Sequence, residues 1–132
     1  MIVVDTSVWI DLLNDVPSPK ATACIELIES RDPVALTDVV LTEVLQGLRS
    51  DREARLVERR LRAFPILRLE TLDDFALAAS LYRTARAAGV TIRKSLDCLI
   101  AAPCVRTGAP LLHADEDFDR LATCTALRTW PV

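Results

Sequence analysis

Short apolar blocks and longer amphipathic blocks follow one another along this chain. Ile2-Val3-Val4 is a β-branched run that ends at Asp5, which predicts a first strand. Thr6 or Ser7 can cap a helix running through Asn14. Pro17 and Pro19 open a second helix, with Ala23, Ile25, Leu27 and Ile28 as its apolar positions up to Ser30. Asp32-Pro33 reads as a turn and Val34-Ala35-Leu36 as a second strand. Thr37 can cap a third helix carrying Val39, Val40, Leu41, Val44, Leu45 and Leu48, with Gly47 near its end. A charged helix follows from about Asp51 to Ala63, and Pro65 breaks it before a third strand, Ile66–Leu69.

Thr71 starts a long amphipathic helix to about Ala88, closed by Gly89. Ser95 can cap the next helix, Leu96 to Thr107, which stops at Gly108. Pro110–His113 is a fourth strand, and Asp115 lies just past its end. A short helix covers Glu116 to Thr123, and Leu127–Trp130 reads as a fifth, edge strand. Strands alternating with helices predict an α/β fold with a mostly parallel sheet of four to five strands, covered on both faces. No repeat, low-complexity tract or linker interrupts the pattern, so residues 1–132 are expected to form a single domain.

Composition narrows this picture. Hydrophobic residues make up 51% of the 132 residues, enough for a real core and too many for disorder. Apolar runs such as Val39–Leu41 and Leu99–Ala102 are far short of a membrane span. The opening Met1-Ile2-Val3-Val4-Asp5 has no charged leader or cleavage site, so the expected compartment is the cytoplasm and no membrane partner is expected. Cys24, Cys98, Cys104 and Cys124 form no C-x-x-C pair, and His113 is the sole histidine. A structural zinc site is therefore disfavoured, and the cysteines are read as small buried residues.

The net charge of −3 argues against a broad basic face. Its distribution is more informative. Seven arginines and three acids lie between Arg49 and Arg68, and Arg83, Arg86, Arg93 and Lys94 occur without an acid between Tyr82 and Lys94. Acids gather instead at Asp115-Glu116-Asp117-Phe118-Asp119. Separate zones of this kind suit a metal in one and phosphates in the other, although charge runs are usually solvated helix faces.

Ligands of open α/β sheets bind beyond the carboxyl ends of the strands. Asp5 and Asp115 follow two such ends, while Glu43 and Asp97 sit inside otherwise apolar helical runs. Each has a plain structural reading: a cap or turn for Asp5, a pair with an arginine for Glu43, the helix dipole for Asp97, a solvated loop for Asp115 and Asp117. If they converge, they cannot all ionise without a cation between them, and hard oxygen ligands suit Mg²⁺ or Mn²⁺. Such an ion activates water and neutralises a phosphodiester without a catalytic histidine.

Four segments resemble, in order, the motifs of the PIN-domain family, and within it the bacterial VapC-type toxins. They are Val3-Val4-Asp5-Thr6-Ser7-Val8-Trp9-Ile10, Leu41-Thr42-Glu43-Val44-Leu45-Gln46-Gly47, Arg93-Lys94-Ser95-Leu96-Asp97-Cys98-Leu99-Ile100-Ala101-Ala102 and His113-Ala114-Asp115-Glu116-Asp117-Phe118. The resemblance spans essentially the whole chain. It implies a PIN-like three-layer α/β/α sandwich and an acidic cluster of Asp5, Glu43, Asp97 and Asp115, with Asp117 as a fifth catalytic member. Asp5 and Asp97 would ligate the metal directly, and Glu43 and Asp115 through water or a second ion. Thr6 or Ser7 would orient Asp5 or a water. Arg83, Arg86, Arg93 and Lys94 would hold the flanking RNA.

The activity implied is Mg²⁺-dependent endonucleolytic cleavage of structured RNA such as tRNA or rRNA. A VapB antitoxin would block the site, with homodimers usual and hetero-oligomers with the antitoxin expected. Pro103 departs from the family pattern, where the helix is unbroken, and predicts a kink or a displaced Asp97 turn. A non-catalytic PIN module that binds RNA or a protein partner is the alternative, but such modules typically lose acids that are all present here. A phospho-aspartate domain is a weaker rival, because Ser7 stands where the D-x-D pattern needs a second acid and the third strand ends in Glu70.

Overall fold

The computed structural model describes residues 1–132. Its elements are β1 (Ile2–Val4), α1 (Thr6–Leu13), α2 (Pro19–Glu29), β2 (Val34–Thr37), α3 (Asp38–Gln46), α4 (Asp51–Leu61), β3 (Ile66–Leu67), α5 (Leu72–Ala87), α6 (Ser95–Thr107), β4 (Leu111–Leu112) and α7 (Glu116–Cys124). The four strands form a parallel sheet in the order β3-β2-β1-β4. Ile2 pairs with Val34, Val3 with Leu111 on the other side, and Leu36 with Ile66. Every residue of β1, β2 and β4 is buried, as a sheet covered on both faces requires.

Crossovers between parallel strands are right-handed, and the chain reverses direction across the sheet after β3. That places α1–α4 on one face and α5–α6 on the other. Accordingly α1 packs on α2 and α3, α3 on α4, and α5 on α6 and α7. The reversal also makes the gap between β1 and β4 a topological switch point, where a crevice opens beyond the strand ends. Asp5 and Asp115 flank that crevice.

Three local expectations need correction. The fifth strand is a single parallel bridge from Leu111 to Thr129. It is held by Leu111 N–H to Arg128 O at 2.9 Å and Trp130 N–H to Leu111 O at 2.8 Å, too little to count as a strand. Neither Thr6 nor Ser7 caps α1; Asp5 itself does, accepting from the Ser7 N–H. Ser95 is likewise the first residue of α6, and Lys94 precedes it with no side-chain cap. Pro103 lies within α6, more than a turn and a half beyond Asp97, and the helix runs on to close at Gly108 with φ 73°.

The β1–α1 junction is braced from inside. Trp9 is 1% exposed, and its indole Nε1–H donates to Val4 O at 2.9 Å while its ring leans on Phe64 at 5.1 Å. Trp9→Phe keeps most of the ring and removes that donor. It is expected to lower stability by about 1–3 kcal/mol, read as a lower urea midpoint with an unchanged slope.

Candidate active site

Strand ends, helix starts and the inner part of α3 bring the acids together. Asp5 continues β1, with its N–H bonded to Leu112 O at 2.9 Å, before it caps α1. Ser7 Oγ donates to Asp5 Oδ2 at 2.9 Å and accepts from Ala114 N–H at 3.3 Å, which ties the β1 turn to the β4 turn. Thr6 Oγ1 donates to Glu43 Oε1 at 2.7 Å and fixes α3 against α1. Asp97 enters from the first turn of α6. Asp115 caps α7, its Oδ1 accepting from Asp117 N–H at 3.0 Å.

These residues surround a cavity of about 160 Å³, lined by Asp5, Thr6, Ser7, Ile10, Glu43, Lys94, Asp97 and Asp115. Carboxylate oxygens of Asp97, Asp115 and Asp117 also lie within 4.8 Å of one another. Asp5 and Asp97 are both 4% exposed. Burial raises the Asp5 carboxyl to about 6 against the pull of its Ser7 hydrogen bonds, and the Glu43 charge adds to the rise. Burial also raises Asp97 to about 7, helped by the charges of Asp115 and Asp5, with Lys94 acting against them.

Asp97 Oδ2 is buried with no hydrogen-bond partner. An orphaned, buried carboxylate oxygen is costly unless something compensates it, the more so in a residue that neighbours other acids. The donor set is all oxygen, and a single ammonium, Lys94, shares the cavity with four carboxylates. These residues fit a hard divalent cation.

The remaining predicted residues are placed differently. Asp117 is 1% exposed and lies behind Asp115. Its Oδ2 accepts from Arg93 N–H at 3.2 Å and Arg93 Nε at 3.1 Å, and its Oδ1 from Arg120 Nη1 at 2.6 Å. Burial pushes this carboxyl up, but the arginine hydrogen bonds outweigh it and hold it below the usual carboxylate range. Arg93 also reaches Asp115 Oδ1 at 3.1 Å. Arg83 and Arg86 lie outside the acid cavity, on α5, lining an apolar groove with Phe75, Tyr82, Cys98 and Leu99. All four cysteines are free thiols; Cys24, Cys98 and Cys104 are buried as expected, while Cys124 is half-buried.

Two arrangements escaped the sequence reading. His113 is buried, accepts from Asp115 N–H at Nδ1 (3.2 Å) and donates from Nε2 to Asp119 Oδ1 (3.1 Å). Burial keeps its pKa low despite Asp119, so a neutral ring holds the Asp115 backbone. Asp74 accepts from Glu70 N–H at 2.7 Å and from Arg106 Nε at 2.8 Å, joining α5 to α6. Its position on the face shared by Ala78, Leu81 and Ala85 was a usable signal, since an acid on an apolar face needs a partner.

The chain has relatives of known family and fold. The PIN domain family profile matches residues 2–123. Ribonuclease VapC11 of Mycobacterium tuberculosis is 37% identical over 129 residues, covering 97% of this chain and 96% of that protein. The VapBC-5 toxin–antitoxin structure from M. tuberculosis superposes with a TM-score of 0.70 at 25% identity, covering 99% of this chain and 98% of that chain. VapBC2 from Rickettsia felis, bound to a DNA fragment from its promoter, superposes with a TM-score of 0.76 at 18% identity, covering 99% and 100%. No helix is long and apolar enough to cross a membrane. On this profile match and near full-length identity, the chain belongs to the PIN-domain family and, within it, to the VapC group.

Proposed function

We propose that this protein is a Mg²⁺-dependent endoribonuclease, with Mn²⁺ able to substitute, and the toxin of a VapBC pair that cuts structured RNA such as tRNA or rRNA. The observation that carries the metal-dependent chemistry is the unpartnered Asp97 Oδ2, buried against the acids that share its cavity. Asp5 and Asp97 would hold the ion directly, with Glu43 and Asp115 acting through water. Bound there, the ion supplies neutralising charge to a phosphodiester and acidifies water. Ser7 keeps Asp5 aimed into the cavity, and Thr6 does the same for Glu43. Glu43 or Asp115 takes the proton of the attacking water. Lys94 faces the incoming phosphate from the cavity wall, with Arg93 at the rim and Arg83 and Arg86 further out along the RNA.

A VapB-type antitoxin from the same operon would silence the enzyme, in keeping with the toxin–antitoxin assembly of the VapBC-5 relative. Beside the acid cavity, and sharing Ile10 with it, lies a cleft of about 360 Å³ lined by Leu13, Val44, Leu48 and Arg49, which suits a peptide segment of that partner. The reading includes a homodimer, for which exposed Leu72, Phe75 and Tyr82 on α5 offer an apolar strip.

Purified protein should cut RNA internally with Mg²⁺ or Mn²⁺, stop in excess chelator, and resume when the metal is restored. Sequencing of the new RNA ends reads the cut sites. Equal cleavage in chelator would rule this reading out.

A further inference from the structure

The acid-x-acid pair that opens α7 holds two carboxylates in different states. Asp115 lines the cavity. Asp117 does not, although its oxygens come within 4.8 Å of those of Asp97 and Asp115. Three N–H groups already occupy it, two from Arg93 and one from Arg120. Of its roughly four lone-pair sites three are taken, two of them by charge-assisted hydrogen bonds from guanidinium groups, so it has little left to offer an ion. The fully buried oxygen that lacks a partner is on Asp97.

What Asp117 does hold is Arg93. Both the backbone N–H and Nε of Arg93 bond to Asp117 Oδ2, while Nη2 reaches Asp115 Oδ1 at 3.1 Å. The guanidinium is thereby pinned one hydrogen bond from the cavity wall. Two of its five N–H donors serve the acids, and its side chain remains 65% exposed. An RNA backbone approaching a cavity of four carboxylates is repelled unless a cation stands at its edge. A planar, fixed guanidinium suits a phosphate there.

Resting on the ribonuclease reading above, we infer that Arg93 grips an RNA phosphate at the rim of the acid cavity. Asp117 is then the positioning residue that aims Arg93, and not a ligand of the metal. The sequence pattern alone puts Asp117 among the catalytic acids, and the hydrogen bonds assign it this other task.

The test uses the full chain as wild type, Arg93→Gln, Arg93→Lys, Asp117→Asn and the double variant Arg93→Gln/Asp117→Asn. Mn²⁺ affinity is measured by calorimetry without RNA. Binding of a 2′-O-methyl RNA that cannot be cut is measured at several salt concentrations, and KM and kcat on cleavable RNA. Arg93→Gln should weaken RNA binding about tenfold and lower the salt slope by about 0.7–1. Arg93→Lys keeps the charge and should fall between it and wild type. Asp117→Asn removes an acid, so charge alone would strengthen RNA binding. Positioning predicts the opposite, weaker binding and a higher KM, with Mn²⁺ affinity unchanged. The double variant should bind RNA no worse than Arg93→Gln.

A large loss of Mn²⁺ affinity in Asp117→Asn, tighter RNA binding in that variant, or additive losses in the double would each overturn the inference. Should Asp117→Asn not fold, the salt slopes of the two Arg93 variants on their exposed side chain decide; an unchanged slope in Arg93→Gln overturns it. A wild-type protein that neither binds Mn²⁺ nor cuts RNA would sink the ribonuclease reading and this inference with it. A wild type that does both, beside an Asp117→Asn that loses Mn²⁺, sinks the inference alone.

Discussion

Asp97→Asn is expected to abolish RNA cleavage while making the metal-free protein more stable at pH 8. The two effects share a cause. Asp97 is 4% exposed, its carboxyl is raised to about 7 by burial and by Asp115 and Asp5, and its Oδ2 has no partner. At pH 8 the folded metal-free protein carries that charge in a place that disfavours it. An asparagine removes the charge and can place an N–H donor among neighbouring acids. The gain is about 2–4 kcal/mol, which is several degrees in Tm. The same change removes an ion ligand, and loss of about 1,000-fold or more in kcat follows.

Asp5→Asn should cost as much activity, with its helix cap intact because asparagine caps as well as aspartate. Thermal melts in chelator and single-turnover cleavage check both halves of the prediction. An Asp97→Asn protein that melts lower than wild type would show that the native carboxylate stabilises the fold, the reverse of what its burial predicts. Sites held ready for a ligand at the expense of stability are a common trade-off.

The parts of this site that were legible in the sequence are those fixed by backbone position. Asp5 follows a β-branched triplet and Asp115 follows Leu111-Leu112-His113, so chain order alone sends both to the carboxyl ends of adjacent parallel strands. Glu43 and Asp97 stood out because an acid in an apolar helix needs a reason. What the sequence did not contain was side-chain pairing across distance. Arg93 and Asp117 are 24 positions apart, and nothing local says that one arginine will fill the second acid of the motif. The basic stretch from Arg83 to Lys94 reads as one surface, yet the turn after Gly89 divides it. Arg83 and Arg86 stay on α5, and Arg93 and Lys94 reach the acids. Capping of α1 falls on Asp5, the acid with a plain reading as a cap, and not on Thr6 or Ser7, so Asp5 serves as strand end, cap and site residue at once.

Without divalent ion, stability should fall as pH rises from about 4 to 7, and added Mg²⁺ should reverse the trend. The folded-state carboxyls of Asp5 and Asp97 lie at about 6 and about 7, against 3.8 for the ordinary group. Between those values the folded chain binds more protons than the unfolded one, so the slope of unfolding free energy against pH is negative. A tenfold weakening of a carboxylic acid on folding corresponds to about 1.4 kcal/mol. Because the charge of Asp5 helps to raise Asp97, their contributions do not add independently. His113 opposes the trend below 6.5, since its lowered folded pKa makes it shed a proton that the unfolded chain keeps. Asp117 and Asp74, both held low, act in the opposite sense to Asp5 and Asp97, at more acid pH. The two raised carboxyls therefore dominate near neutrality. An ion at the cavity needs both of them ionised, so protons compete with it. Calorimetry in buffers of different ionisation enthalpy should find about one proton or more released per ion bound at pH 6 and almost none at pH 8. The rise in Tm at a fixed Mg²⁺ concentration should grow over the same interval, and Mg²⁺ at a hundred times its Kd should add about 2.7 kcal/mol of stability. Proton release that is absent at pH 6, or a metal-free Tm that climbs steadily to pH 8, would mean that Asp5 and Asp97 are already charged in the empty protein and that burial does not hold them protonated.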